Sequence, residues 1–114
     1  MQRTDAIQHA LLELHRVLVD EARREYERSH GSTTAGELLE LLVSHQTFVW
    51  LQPFTSLIVE LEQGGVDPAW ADRARGLLRP DAAGDAFQQR YDELVQRSPD
   101  VVVAHGAAMH TLRP

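Results

Sequence analysis

Apolar residues return every three or four positions along most of this chain, which is the spacing of amphipathic α-helices. No segment shows the strict alternation of apolar and polar residues that is typical of a half-buried β-strand. The clearest stripe lies near the start of the chain and predicts a helix over about residues 5–30. Its apolar positions are Ile7, Leu11, Leu14, Leu18, Ala22 and Tyr26. Asp5 and Gln8 have capping-box spacing at its start, and Gly31 is suited to end it.

A second helix is predicted from about residue 34 to residue 63. Thr34 and Glu37 have the spacing of a capping box, and a dense apolar run follows them directly. This density suggests a helix that is contacted on more than one side. Pro53 lacks a backbone donor and disfavours helical geometry at the residue before it. It therefore either kinks this helix or separates two helices, and the pattern leaves both interpretations open.

Three further helices are predicted from their start signals. Asp67-Pro68 is a cap followed by proline and opens a short helix over 68–78. Asp85 and Gln88 form another capping-box pair, within a helix over 82–97. Ser98-Pro99 opens a last helix over 99–113. The residues expected to point inward on this last helix are Val102, His105, Met109 and Leu112.

Each apolar stripe is too extensive to face water alone, so the helices must pack against one another. The chain therefore predicts a single all-α domain over residues 1–114. We expect a compact bundle of four main helices, the second of them kinked or split at Pro53, plus the short helix at 68–78. The loops between them are short, which favours antiparallel neighbours.

The segment from Phe48 to Ile58 reads F-V-W-L-Q-P-F-T-S-L-I. It resembles the F-x-W-L-x-P-[LF]-[ST]-x-L-I core of a family of small uncharacterised bacterial helical proteins. The C-terminal segment is similar to the same family at Arg90-Tyr91, at 98–102 and at Ala104-His105. The resemblance implies a helical fold of bacterial origin with no known activity, so it assigns no functional residue.

Composition excludes several classes of function. The net charge is −6, which argues against a nucleic-acid partner because such binding requires a cationic surface. All 11 basic residues are arginine, an enrichment that a GC-rich genome explains. The chain has no cysteine, hence no thiol nucleophile and no thiolate metal site. It has no apolar run of membrane-spanning length and no signal-peptide pattern, so we expect a cytoplasmic protein without a membrane partner.

Histidine is the residue type that could carry chemistry. Three of the six histidines fall on or beside the apolar stripes of three different helices, and Glu60 lies close to a fourth stripe. A bundle can build a metal site from such inward side chains, and imidazole suits transition metals such as zinc or iron. The candidate ligands are His15, His45, His105 and Glu60. In the alternative interpretation these histidines only satisfy carbonyl or carboxylate groups at helix ends.

The apolar residues of the 38–51 region and the aromatic residues near it are too numerous for one small bundle to cover. A large uncovered apolar patch usually marks a partner. The first hypothesis is therefore a non-enzymatic helical interaction module, most simply a homodimer, since no nucleophile is paired with a base. A pocket that carries a small apolar ligand is a further alternative. The candidate interface or pocket residues are Leu38, Leu41, Leu42, Phe48, Trp50, Leu51, Phe54 and Trp70.

Overall fold

A computed structural model describes residues 3–113 of the chain. The ends of the predicted domain, Met1, Gln2 and Pro114, lie outside the described residues. Within residues 3–113 all regular structure is α-helical, as the pattern predicts. The helices are α1 (Arg3–His30), α2 (Ala35–Ser44), α3 (Gln46–Val49), α4 (Gln52–Gly64), α5 (Pro68–Leu77), α6 (Ala86–Arg97) and α7 (Pro99–Thr111).

The predicted capping signals are confirmed at most helix starts. Thr34 with Glu37 and Asp85 with Gln88 form complete capping boxes. The side chain of Asp67 caps α5, and that of Ser98 caps α7. The predicted cap at Asp5 is wrong, because α1 already begins at Arg3 and Asp5 lies in its first turn.

The long second helix is the main departure from the predicted count of elements. Residues 34–63 form three helices, because His45 leaves helical geometry (φ −90°, ψ 135°) and ends α2. A single turn, α3, follows, and Pro53 then lies in the first turn of α4, where its missing N–H has no helical partner to lose. Pro53 therefore begins a new helix and does not kink an old one.

The core lies around α1, whose predicted stripe is buried from Ile7 to Ala22. Helix α7 packs most extensively on α1, α4 also packs on α1, and α5 is held against α4. The Trp70 indole N–H donates to the carbonyl of Leu57 at 2.9 Å, which joins α5 to α4. None of the helices within residues 3–113 combines the length and apolar character needed to cross a lipid bilayer.

The buried face of α7 shares only Leu112 with the predicted one and is otherwise rotated around the helix. Its buried residues are Val101, Ala104, Ala108 and Leu112. Of the predicted stripe, Val102 is exposed and His105 and Met109 are only half-buried. Alanine has only a Cβ, so a face containing Ala104 and Ala108 lets α7 approach α1 closely. The prediction left out Ala104 and Ala108, whose small side chains allow this close packing.

Candidate functional site

Helix α2 contributes no residue to the buried core, although half of its ten residues are leucine or valine. Leu39 is 67% exposed and Val43 is 71% exposed. Helix α2 makes most of its contacts with α3, the next helix along the chain. Because its apolar side chains stay partly or largely exposed, α2 gains little stabilisation from packing within its own chain. Its sequence is therefore typical of a surface that contacts a partner.

The apolar side chains of α2 cover about 200° of the helix circumference at 100° per residue. An ordinary surface helix needs an apolar arc of only roughly 100° to face its own core. Leu38, Leu41 and Leu42 form one half of the arc and are half-buried. Leu39 and Val43 form the other half and face solvent. The second half is left over after the helix has packed on its own chain.

The N-terminal end of α2 is held against α1 by hydrogen bonds around Thr33, one of the few buried polar residues. We call this group, formed by Arg23, Glu27 and Thr33, the clasp. The Glu27 carboxylate accepts from the Thr33 amide at 2.6 Å and from its hydroxyl at 2.8 Å. Arg23 donates to the Thr33 carbonyl at 2.5 Å. The hydrogen bonds from Thr33, backbone first and then side chain, lower the pKa of Glu27. The clasp fixes the direction in which α2 leaves α1.

The second end of α2 is tied to α1 by aromatic contacts of His45. Its ring lies edge-on to that of Tyr26, with centroids 5.0 Å apart, and Tyr26 also stacks on His30 at 4.1 Å. His45 Nδ1 accepts from the amide of Thr47 at 3.1 Å and so caps α3. Both ends of α2 are therefore held by the C-terminal third of α1, while its middle presents Leu39 and Val43.

The predicted interface residues fall into two groups in the structure. Leu38, Leu41 and Leu42 lie on α2, beside the exposed half of its arc. Trp50 is partly buried and packs against Phe87, with ring centroids 5.5 Å apart. The others lie inside the protein, where no partner reaches them, at 0–2% exposure: Phe48, Leu51, Phe54 and Trp70.

The aromatic residues that were predicted to wall a ligand pocket fill the core. The Phe54 ring packs against Phe87, with centroids 6.1 Å apart, and Trp70 is 2% exposed. The segment from Phe48 to Ile58 is thus the packed corner between α3 and α4. Five of its apolar residues are buried, whereas Val49 and Trp50 are half-buried; the buried ones are Phe48, Leu51, Phe54, Leu57 and Ile58.

The predicted metal ligands occupy separate environments. His15 Nε2 lies 2.9 Å from the Thr55 hydroxyl, between α1 and α4. His105 Nδ1 lies 2.6 Å from the Tyr91 hydroxyl, between α6 and α7. Glu60 is exposed and forms a two-pronged ion pair with Arg73. Among residues 3–113, no group of three or more potential ligands is placed to hold a metal ion.

The hydrogen bonds of these histidines define their tautomers. Thr55 donates its hydroxyl hydrogen to the Leu51 carbonyl at 3.2 Å, so it accepts from His15 Nε2. Burial raises the pKa of Tyr91, so its phenol stays protonated and donates to His105 Nδ1. His45 Nδ1 accepts an amide hydrogen, so its Nε2 carries the proton in the neutral ring. Each ring thus has a structural partner of its own.

The stability of the protein should decrease as the pH falls below about 6.5, the ordinary imidazole value. Burial lowers the pKa of both His15 and His105 in the folded protein. Between the lowered and the ordinary pKa the unfolded chain binds more protons than the folded one, so acid favours unfolding. The loss levels off below the lowered pKa values. Urea unfolding at a series of pH values between about 5 and 8 measures it, while carboxylates remain charged.

The matched variant for this prediction replaces both rings by amides that keep their hydrogen bonds. Gln in place of His15 can reach Thr55, and Asn in place of His105 can accept from Tyr91. The double variant H15Q/H105N should show a flatter pH dependence than the original protein. An equal slope in the two proteins would show that other groups cause the acid sensitivity.

Sequence reasoning missed the two features that define this site. Leu39 and Val43 belong to the apolar run, but helical periodicity alone does not show which half of the wide apolar arc of α2 packs inward. The clasp of Arg23, Glu27 and Thr33 joins an i, i+4 pair of α1 to a loop residue. Glu-Arg pairs at this spacing are common on solvated helices, so only the folded loop distinguishes this one.

Comparison with protein-family models, with curated proteins and with solved structures finds no significant match to this chain.

Proposed function

We propose that this protein is a non-enzymatic interaction module that forms a homodimer through the exposed face of α2. The observation that carries the proposal is that none of the five leucine and valine residues of α2 is fully buried, and that Leu39 is 67% and Val43 71% exposed. Two separate sets of contacts hold this helix in place, at Thr33 and at His45. A surface that is both apolar and fixed in direction is suited to a specific contact, because little ordering is required on binding.

A second copy of the chain fits this face better than a charged partner does. Ala35, Leu39 and Val43 share the outer half of the arc and carry no charge. Glu37 lies about 120° or more around the helix from both Leu39 and Val43, whereas Glu40 lies about 60° from Val43 and borders the face. An isologous contact about a two-fold axis therefore brings apolar side chains against their own copies at its centre, with the charged Glu40 at its rim.

The size of the face sets the expected affinity. Full burial of a leucine or valine side chain contributes about 1.5–3 kcal/mol. Leu39 and Val43 are about two-thirds exposed, and a dimer buries them twice, which gives on the order of 4–8 kcal/mol before the cost of association. The cost of association, at least about 4 kcal/mol, offsets much of this gain, so we expect a weak dimer with a dissociation constant of about a millimolar.

Sedimentation equilibrium over about 1 μM to 1 mM protein tests the dimer and its location. The variant L39D/V43D should remain monomeric over this whole range, because it places carboxylates in the apolar contact. Val103→Asp is the matched control, since Val103 on α7 is 74% exposed and just as apolar. It should dimerise like the original protein.

Salt distinguishes self-association from binding to a basic partner. Two copies of net charge −6 repel each other at long range, and salt screens this repulsion. Dimerisation should therefore strengthen between about 0.05 and 0.5 M sodium chloride. A monomer at all concentrations, or a dimer that L39D/V43D leaves intact, would remove the proposal and leave α2 to a different protein partner.

A further inference from the structure

Three arginine side chains line one cleft of about 440 Å³ between α1 and the junction of α6 and α7. Arg24 and Arg28 lie one turn apart on α1, and Arg97 is the last residue of α6. The cleft thus brings guanidinium groups from two helices together on a chain whose net charge is −6. The other lining residues are Glu21, Ser98, Pro99 and Asp100.

The charges in the cleft are only partly paired. Arg24 forms an ion pair with Glu21 at 2.7 Å, and Glu21 also accepts from the Ser98 hydroxyl at 3.0 Å. Within residues 3–113, neither Arg28 nor Arg97 has a carboxylate within ion-pair distance. Two exposed guanidinium groups, one on α1 and one on α6, are therefore left without an ion-pair partner at the cleft.

The helix geometry favours an anion in the cleft, although the carboxylate of Asp100 also lines it. Helix α7 has 13 residues and begins at the cleft, so the positive end of its dipole points into it. The Ser98 hydroxyl is occupied by Glu21 and by the amide of Val101. The cleft therefore offers two arginine forks and a helix dipole to an anion.

We propose that this cleft binds a phosphate group, either free or on a small phosphate monoester, with Arg28 and Arg97 as its principal contacts. A planar guanidinium can donate two parallel hydrogen bonds to the oxygens of one phosphate. A phosphate offers enough oxygens to accept hydrogen bonds from both unpaired guanidinium groups at once, whereas a carboxylate has only two. The site is independent of the apolar face of α2.

Amide NMR titration with inorganic phosphate tests the site, with sodium chloride at equal ionic strength as the reference. The amides of Ser98 and Asp100 should shift and saturate at millimolar phosphate. The variant R28Q/R97Q should bind at least about fivefold more weakly, because each charged hydrogen-bonding pair is removed. Arg79→Gln is the matched control, since Arg79 is also exposed and has no carboxylate partner within residues 3–113.

The outcomes separate the phosphate site from general charge effects. R28Q/R97Q and Arg79→Gln change only exposed side chains, so their melting temperatures by circular dichroism should match that of the original protein. Phenyl phosphate in place of phosphate reports whether the monoester or the free ion binds more tightly. The proposal is overturned if chloride reproduces the shifts, or if R28Q/R97Q and Arg79→Gln bind phosphate alike. The monomeric variant L39D/V43D should bind phosphate unchanged, so failure of the dimer does not affect this test.

Discussion

Replacement of Trp70 by alanine should lower the free energy of unfolding by about 3–5 kcal/mol. The Trp70 side chain is 2% exposed and belongs to the main core cluster. Its indole N–H donates to the Leu57 carbonyl, so the variant loses both the packing of α5 on α4 and a buried hydrogen bond. Domains of this size are stable by only about 5–15 kcal/mol, so the effect is a large share of the total.

Urea unfolding followed by circular dichroism measures this loss, because tryptophan fluorescence changes when the reporter itself is removed. Trp50→Ala is the matched control. Trp50 is only partly buried, and its indole N–H donates to the Thr47 carbonyl within its own turn. We expect its replacement to cost clearly less than that of Trp70. Equal losses would contradict the central placement of Trp70.

Replacement of Ala108 by leucine should cost about 1–3 kcal/mol, because the larger side chain overfills a closed contact. Ala108 is fully buried, on the face of α7 that packs against α1. Three additional carbon atoms must displace α1 or force strained rotamers. The neighbouring residue Ala107 is exposed and lies beside an open groove between the same helices.

A comparison of Ala108→Leu with Ala107→Leu therefore separates the effect of the position from the effect of the substitution itself. Both variants make the same substitution on one helix, so helix propensity and hydrophobicity change equally. Thermal and urea unfolding of the two proteins should differ by the overpacking cost alone. A harmless Ala108→Leu would mean that α7 does not present this face to α1.

The local elements were accessible from sequence because their determinants are local. A capping side chain such as Thr34 or Asp85 satisfies amides within the same turn, so its spacing is independent of the rest of the fold. The α1 stripe was equally clear, because charged residues occupy its other side and only one face can be buried. These features predicted an all-helical chain and most of its helix starts.

The candidate site was accessible only in outline. The density of apolar residues in the 38–51 region indicated a surface with a partner, but it did not separate Phe48, which is buried, from Leu39 and Val43, which are exposed. The histidines at 15, 45 and 105 lie on or beside apolar stripes as expected. Their ring partners come from other helices or from capping geometry, which helical spacing does not encode.

The amino-acid sequence by itself determined which segments are helical, because caps, prolines and apolar periodicity act over a few residues. Tertiary packing decided the rest: the break at His45, the face that α7 turns to α1 and the exposure of α2. The same physical reason applies to the face that α7 turns to α1 and to the exposure of α2. Where apolar residues surround a helix, as at 38–43 and 101–103, periodicity allows several orientations. The choice between them then depends on how closely the neighbouring helices can approach.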